Sequence, residues 1–261
     1  MKKTQRKYKV NDNFFDNLNN EKLWLIGLIA SDGNVANKFR FSISQSNKEG
    51  FKLLKYIKKL LKYNGKIYLY KKTNSYHLVI SSQKIVKALS KFNIVPNKSL
   101  IYNLPDINKK YFKNYLRGYF DGDGCIYIKN LKQTKFIVAC FVGTENFINN
   151  VNKILIFKGK TRKIKSAKNL YEISFNGKKA IEFLTWLYSD KIIYQSYKYK
   201  KFKSYLEQRN DKFTKFSKPR KLFNEGYSTA IIIKDCKNIK RKTIYQWRYR
   251  CKKQLKNLEK L

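Results

Sequence analysis

Two nine-residue stretches of this chain carry one pattern. Leu25-Ile26-Gly27-Leu28-Ile29-Ala30-Ser31-Asp32-Gly33 and Leu116-Arg117-Gly118-Tyr119-Phe120-Asp121-Gly122-Asp123-Gly124 both read apolar-x-Gly-apolar-apolar-x-small-Asp-Gly. They lie 123 − 32 = 91 residues apart, too far for a solenoid repeat and about the size of a small domain. A duplicated unit is therefore expected, and the segments after the two copies agree. After the first come an alternating stretch (Phe39, Phe41, Ile43 against Arg40, Ser42, Ser44), a helical-period stretch (Phe51, Leu54, Ile57, Leu61), a hairpin around Thr73-Asn74-Ser75 and a helix over Ile85 to Phe92. After the second, the order recurs as Ile126 to Ile128, Phe136 to Val142, Phe147 to Leu155, Lys160 to Ile164, Tyr171 to Phe175 and Ala180 to Tyr188. Each half reads α-β-β-α-β-β-α, which predicts an α+β fold of two pseudo-symmetric repeats, each a four-stranded antiparallel, saddle-shaped sheet with helices on one face.

On a helix, Leu25, Leu28 and Ile29 form one stripe, and Gly27 removes a side chain from that surface; Gly118 does the same beside Leu116, Tyr119 and Phe120. Two such stripes bury most simply against each other, with Gly27 and Gly118 at the helix interface. That packing puts Asp32 and Asp123 side by side at the helix ends, with the following glycine in each copy expected to be the left-handed residue that stops the helix. A carboxylate in the last turn meets the negative end of the helix dipole, at a cost of about 0.3–1 kcal/mol, and two carboxylates brought close repel. A divalent cation reverses both penalties. Asp-Gly alone commonly makes a turn, but two copies with matching glycines and apolar pattern call for a functional reason.

The composition bounds the partner. With 59 Lys+Arg against 17 Asp+Glu the formal net charge is +42, which asks for an anionic partner, while 43% hydrophobic residues are too many for a disordered basic tail. Abundant Lys, Asn, Ile, Tyr and Phe also suggest an AT-rich coding genome, which contributes to that charge. No run approaches the length of a membrane span, and the charged segment Met1 to Val10 has no apolar stretch behind it, so neither membrane insertion nor a signal peptide is expected. An intracellular, soluble protein is expected, in a bacterial or phage-host cytoplasm or an organelle matrix. Cys125, Cys140, Cys236 and Cys251 form no C-x-x-C pair, and His77 is the sole histidine, so any metal is expected to be held by oxygen.

Leu25 to Gly33 and Leu116 to Gly124 resemble the paired motifs of single-chain LAGLIDADG homing endonucleases, and the resemblance extends over most of residues 10 to 207, including Val95-Pro96-Asn97-Lys98-Ser99 and Ile193 to Tyr199. It implies that Asp32 and Asp123, the last aspartate of each motif, bind divalent metal, Mg²⁺ or Mn²⁺, and that Asp121 does not correspond to a ligand. It further implies that Lys98, Lys198 and the polar strand-end residue Gln45 serve catalysis, with no glutamine at the corresponding place in the second repeat, where Phe141 to Gly143 stand. The implied activity is hydrolysis of phosphodiester bonds in a long double-stranded DNA site, by a monomer with internal two-fold symmetry. Residues alternating with the apolar strand positions, Lys38, Arg40, Ser42, Lys66, Tyr68, Tyr70, Tyr127, Lys129 and Arg162, are the expected DNA-contacting set.

Beyond residues 1–105 and 106–208, the two repeats, residues 209–222 read as a basic linker and 223–261 as a small all-α unit. Ile233 to Trp247 resembles the helix-turn-helix of resolvases and transposases, with Lys240, Arg241, Lys242 and Tyr245 on the expected recognition helix. The alternative to an endonuclease is a non-cleaving binder on the same scaffold, an intron RNA-splicing maturase or a DNA-binding regulator. A ribosomal-type basic protein explains the charge but not the duplicated motif, and an intein is not expected because Met1 and Lys260-Leu261 supply neither a splicing nucleophile nor a terminal His-Asn.

Overall fold

The computed structural model describes residues 6–131, 134–189 and 197–208 together with positions 233 and 245. Helix α1 (Asn20–Asp32) starts where the Asn19 side chain accepts a hydrogen bond from the Lys22 amide at 2.9 Å. Its run from Leu23 to Ala30 is buried without interruption, as expected of a helix packed on several sides. Strands β1 (Gly33–Asn37) and β2 (Arg40–Ser46), helix α2 (Asn47–Leu60), strands β3 (Ile67–Tyr70) and β4 (Ser75–Ser81) and helix α3 (Gln83–Ser90) complete the first repeat. The second runs α4 (Lys109–Asp123), β5 (Gly124–Leu131), β6 (Thr134–Gly143), α5 (Glu145–Ile154), β7 (Lys160–Lys163), β8 (Tyr171–Asn176) and α6 (Lys178–Leu187). A last described helix, α7, covers 197–208.

Both sheets are antiparallel, with strand orders β1-β2-β4-β3 and β5-β6-β8-β7. The α-β-β-α-β-β-α order is thus present twice. Alternation decides which face is covered: Phe41, Ile43, Leu78 and Ile80 are buried with Leu54, Ile57, Ile85 and Leu89, while Arg40, Ser44 and Ser81 stay exposed on the other face. In the second repeat Phe141, Ile173 and Phe175 meet Phe147 and Phe183, the Phe175 and Phe183 rings stacking at 4.3 Å. Asn74 takes the left-handed conformation at the β3–β4 hairpin, where an asparagine tolerates it.

Two expectations are corrected. Gly33 and Gly124 are not left-handed: their φ, ψ are −86°, 150° and −80°, 150°, and each opens a strand directly. Glycine is required there for space, since a Cβ would meet the Ile29 or Phe120 backbone well inside 3.0 Å. Phe39 does not share the buried face of Phe41 and Ile43; it lies in the β1–β2 turn, 47% exposed, with the Lys38 ammonium 5.2 Å above its ring.

The chain divides into compact units over 1–202 and 203–261, so both sheets belong to one unit. Of the C-terminal unit beyond α7 only Ile233 and Tyr245 are described, both helical; the linker 209–222 and Lys240, Arg241 and Lys242 lie outside the described residues. Among the described residues no helix is long and apolar enough to cross a membrane.

Candidate active site

The site is made by how closely α1 and α4 approach. A Cβ on Gly27 would run into the Tyr115 carbonyl and lie 2.8 Å from the Tyr119 amide; one on Gly118 would run into the Trp24 carbonyl and lie 2.9 Å from the Leu28 amide. Because 115 − 24 = 91 and 119 − 28 = 91, these contacts exchange under the repeat, which is the signature of a two-fold relation. The axis passes between the helices, and the last residues of both, Asp32 and Asp123, end up together. A Cβ at Gly122 would sit 2.9 Å from Asp32 Cγ, so this glycine makes room for the opposing carboxyl.

Four of the five candidate catalytic residues are buried or half-buried around this point. Lys98 (6% exposed) follows the first repeat and brings Nζ to 3.5 Å from the Ser31 carbonyl. Lys198 (2% exposed) follows the second and donates to the carbonyls of Phe120, Asp121 and Gly122 at 2.8, 2.6 and 3.0 Å. Subtracting 91 makes Ser31 the counterpart of Gly122, so the two lysines reach equivalent helix ends, but only Lys198 caps its helix with all three N–H groups. Gln45 Nε2 donates to Asp32 Oδ2. Asp123, the fifth, presents part of its surface to solvent.

The second repeat solves its half differently. The register pairs Gly33 with Ile43 and Gly124 with Phe141, which places Gly143 at the position of Gln45. With no side chain there, the Tyr119 hydroxyl fills the space. It donates its one proton to the Val142 carbonyl at 3.0 Å, lies 3.1 Å from where a Gly143 Cβ would be, and sits close to the Asp123 carboxylate. Sequence reasoning put Tyr119 only on the apolar stripe; the available signal was the missing glutamine. Asp121, in the last turn of α4, accepts a 2.8 Å bond from Trp24 Nε1 across the helix pair and is 1% exposed, so it ties the two helices together beside the site.

The electrostatics follow from this crowding. Burial raises the Asp32 carboxyl above the ordinary carboxylate range, against the Gln45 hydrogen bond and the charges of Lys198 and Lys98. Burial and then the negative charge of Asp32 push Asp123 up to about 6. Both lysines are drawn below the usual ammonium range by burial, partly restored for Lys98 by Asp123 and Asp32 and for Lys198 by Asp121, Asp32 and Asp123. Three carboxylates against two ammoniums leave this spot short of positive charge in a chain of net charge +42. A polar cavity of about 320 Å³, lined by Asp32, Gln45, Ser46, Asn47, Gly122 and Tyr197 among others, opens beside it. Among the described residues no group of three or more His, Cys, Asp or Glu could hold a metal ion. Two carboxylates with oxygen partners supplied by water and phosphate nevertheless suit Mg²⁺, which binds through one or two carboxylates and keeps much of its water.

Residues 13–105 match the family model of the LAGLIDADG endonucleases. The fold of both repeats is that of solved members. The structure of the I-LtrWI LAGLIDADG homing endonuclease bound to target DNA aligns with TM-score 0.55 and 15% identity over 77% of this chain and 92% of that one. The chain thus shares the fold of these endonucleases over both repeats, with the family model matched in the first. I-SmaMI bound to uncleaved DNA in the presence of calcium ions aligns with TM-score 0.53 and 16% identity over 76% of this chain and 94% of that one. The LAGLIDADG meganuclease I-AabMI bound to uncleaved DNA aligns at 0.52 and 16%, over 75% and 92%. No curated protein sequence matches the chain. In this chain the candidate DNA-contacting residues Arg40, Tyr68, Tyr70, Tyr127, Lys129 and Arg162 are exposed on their strands, Lys38 and Lys66 are exposed just before theirs, and Ser42 is half-buried. Tyr245 is 58% exposed.

Proposed function

We propose that the chain is a site-specific double-stranded DNA endonuclease of the homing type, acting as a monomer whose internal two-fold provides one centre for each strand. The observation that carries this reading is the reciprocal glycine packing of α1 and α4, which brings one aspartate from each repeat together at helix ends, both carboxyls raised by their surroundings. Asp32 and Asp123 would hold the divalent cations, Mg²⁺ or Mn²⁺. Bound there, such a cation stabilises charge on the scissile phosphate and acidifies water.

The chain's own residues do the rest. Gln45 orients the Asp32 carboxylate, and Tyr119 would take that part for Asp123 by turning its one hydroxyl proton from the Val142 carbonyl to the ionised carboxylate. Lys198 spends its donors on the α4 carbonyls and so fixes Asp123 while adding positive charge. Lys98 makes one long contact to Ser31 and keeps donor capacity for a phosphate oxygen or water. The exposed strand residues read and grip the duplex, and residues 223–261 extend the contact beyond the two sheets. The test is Mg²⁺-dependent cutting of a plasmid library of randomised sites, compared with Asp32→Asn and Asp123→Asn. Each substitution should slow cutting of at least one strand by about a hundredfold or more, on the scale of losing a transition-state charge partner. Undiminished cleavage by both variants sinks the assignment; tight RNA binding without DNA cutting supports the maturase reading instead.

A further inference from the structure

Among the described residues, Glu172 is the only acid in the strands of the two sheets. Its neighbours Ile173 and Phe175 point into the core, so parity turns Glu172 toward the open face, the one proposed above to meet DNA. An acid there repels phosphate, and in a chain with 17 acids against 59 bases its presence asks for a use. Directly across the ladder, Arg162 of β7 donates Nε to Glu172 Oε1 at 2.9 Å and Nη2 to Oε2 at 3.2 Å. Glu172 is itself held: its side chain is 14% exposed against 66% for Arg162, and the Cys140 thiol lies in hydrogen-bonding reach. Burial pushes that thiol up to about 12, so it stays a protonated donor.

The geometry has two consequences. Gripped along its Nε–Nη2 side, the guanidinium keeps the two Nη1 protons and one Nη2 proton for another partner, and that end of the fork matches the O6 and N7 acceptors of guanine. Its charge is also compensated, so phosphate attracts it less, and its side-chain entropy is lost before binding rather than on binding. We infer that Arg162, held by Glu172, reads a guanine in the major groove, with Glu172 as the positioning residue that makes the contact base-specific. The inference rests on the DNA-binding reading. The equivalent places in the first repeat, by strand register, are Tyr68 and His77, so the guanine requirement belongs to one half of the target only.

The test is enrichment of a duplex library with a randomised central stretch on the full chain in Ca²⁺, followed by sequencing. The wild-type chain should select a motif with a strong guanine at one position of one half-site. Arg162→Ala and Arg162→Lys should each lose that preference about tenfold, within the range of a bidentate base contact, with the rest of the motif kept. Glu172→Gln should relax the same single position while total affinity holds or rises and the salt dependence steepens by about one phosphate contact. An unchanged guanine preference in Arg162→Ala and Glu172→Gln overturns the inference while leaving DNA recognition intact, as does a Glu172→Gln effect on a cytosine or one spread over all positions. A wild-type chain that enriches no sequence overturns the DNA-binding reading and this inference together.

Discussion

Asp32 and Asp123 occupy equivalent places but have different surroundings: Gln45 donates to Asp32, whereas the Tyr119 hydroxyl near Asp123 gives its proton to the Val142 carbonyl. Tyr119→Phe keeps the ring that stacks on Phe147 at 4.3 Å and removes only the hydroxyl. Cutting of the strand served by Asp123 should slow about tenfold, the value of one hydrogen bond to a charged group, with the other strand unaffected; differently end-labelled strands read this out. The pH dependence has a definite sign. Between 3.8 and about 6 the folded chain keeps a proton on Asp123 that the unfolded chain has released. Stability of the metal-free protein should therefore fall as pH rises through that window. Thermal melts of the wild type minus those of Asp123→Asn isolate the effect, and added Mg²⁺ should reverse it, because the cation binds the ionised pair. Gln45 shows what could be read at this scale: it shares the parity of Phe41 and Ile43, so a polar residue on a buried face already marks it. Tyr119 could not be found that way, because its hydroxyl matters only once Gly143 is known to lie beside it.

At the scale of elements, the α1–α4 contact carries both stability and the site. Gly27→Val or Gly118→Val drives a side chain into the opposing backbone, and the helices must separate. Each should cost about 1–3 kcal/mol, toward the upper end, in urea unfolding, and abolish cutting even where folding survives. The two lysines separate by the same measurements. Lys198→Met leaves the carbonyls of Phe120, Asp121 and Gly122 without their donor and should cost about 1–3 kcal/mol, whereas Lys98→Met should lower the cutting rate with little change in stability. The helices, strands and hairpins were legible because each repeat follows its periodicity closely. The conformation of the glycines after the aspartates is not legible, because Asp-Gly at a helix end admits two answers, and the strand that begins at once selects the extended one.

For the whole molecule, the charge of +42 predicts a steep salt dependence. If six or more lysines and arginines meet phosphates, raising salt from about 50 to about 200 mM should weaken DNA binding a thousandfold or more. Deleting residues 223–261 should weaken binding or shorten the protected stretch of DNA while leaving a folded core with residual cutting; loss of all folding counts against a separate C-terminal role. The amino-acid sequence by itself determined the duplication, the α-β-β-α-β-β-α order and the two aspartates, because these depend on local periodicity and on a motif compared with itself. Only the tertiary structure decided the pairings: that Lys198 caps α4, that the Tyr119 hydroxyl occupies the place where the first repeat has a glutamine, and that Glu172 holds Arg162. Such pairings join residues distant along the chain or on facing strands, and they are set by close packing across an axis that no local pattern encodes.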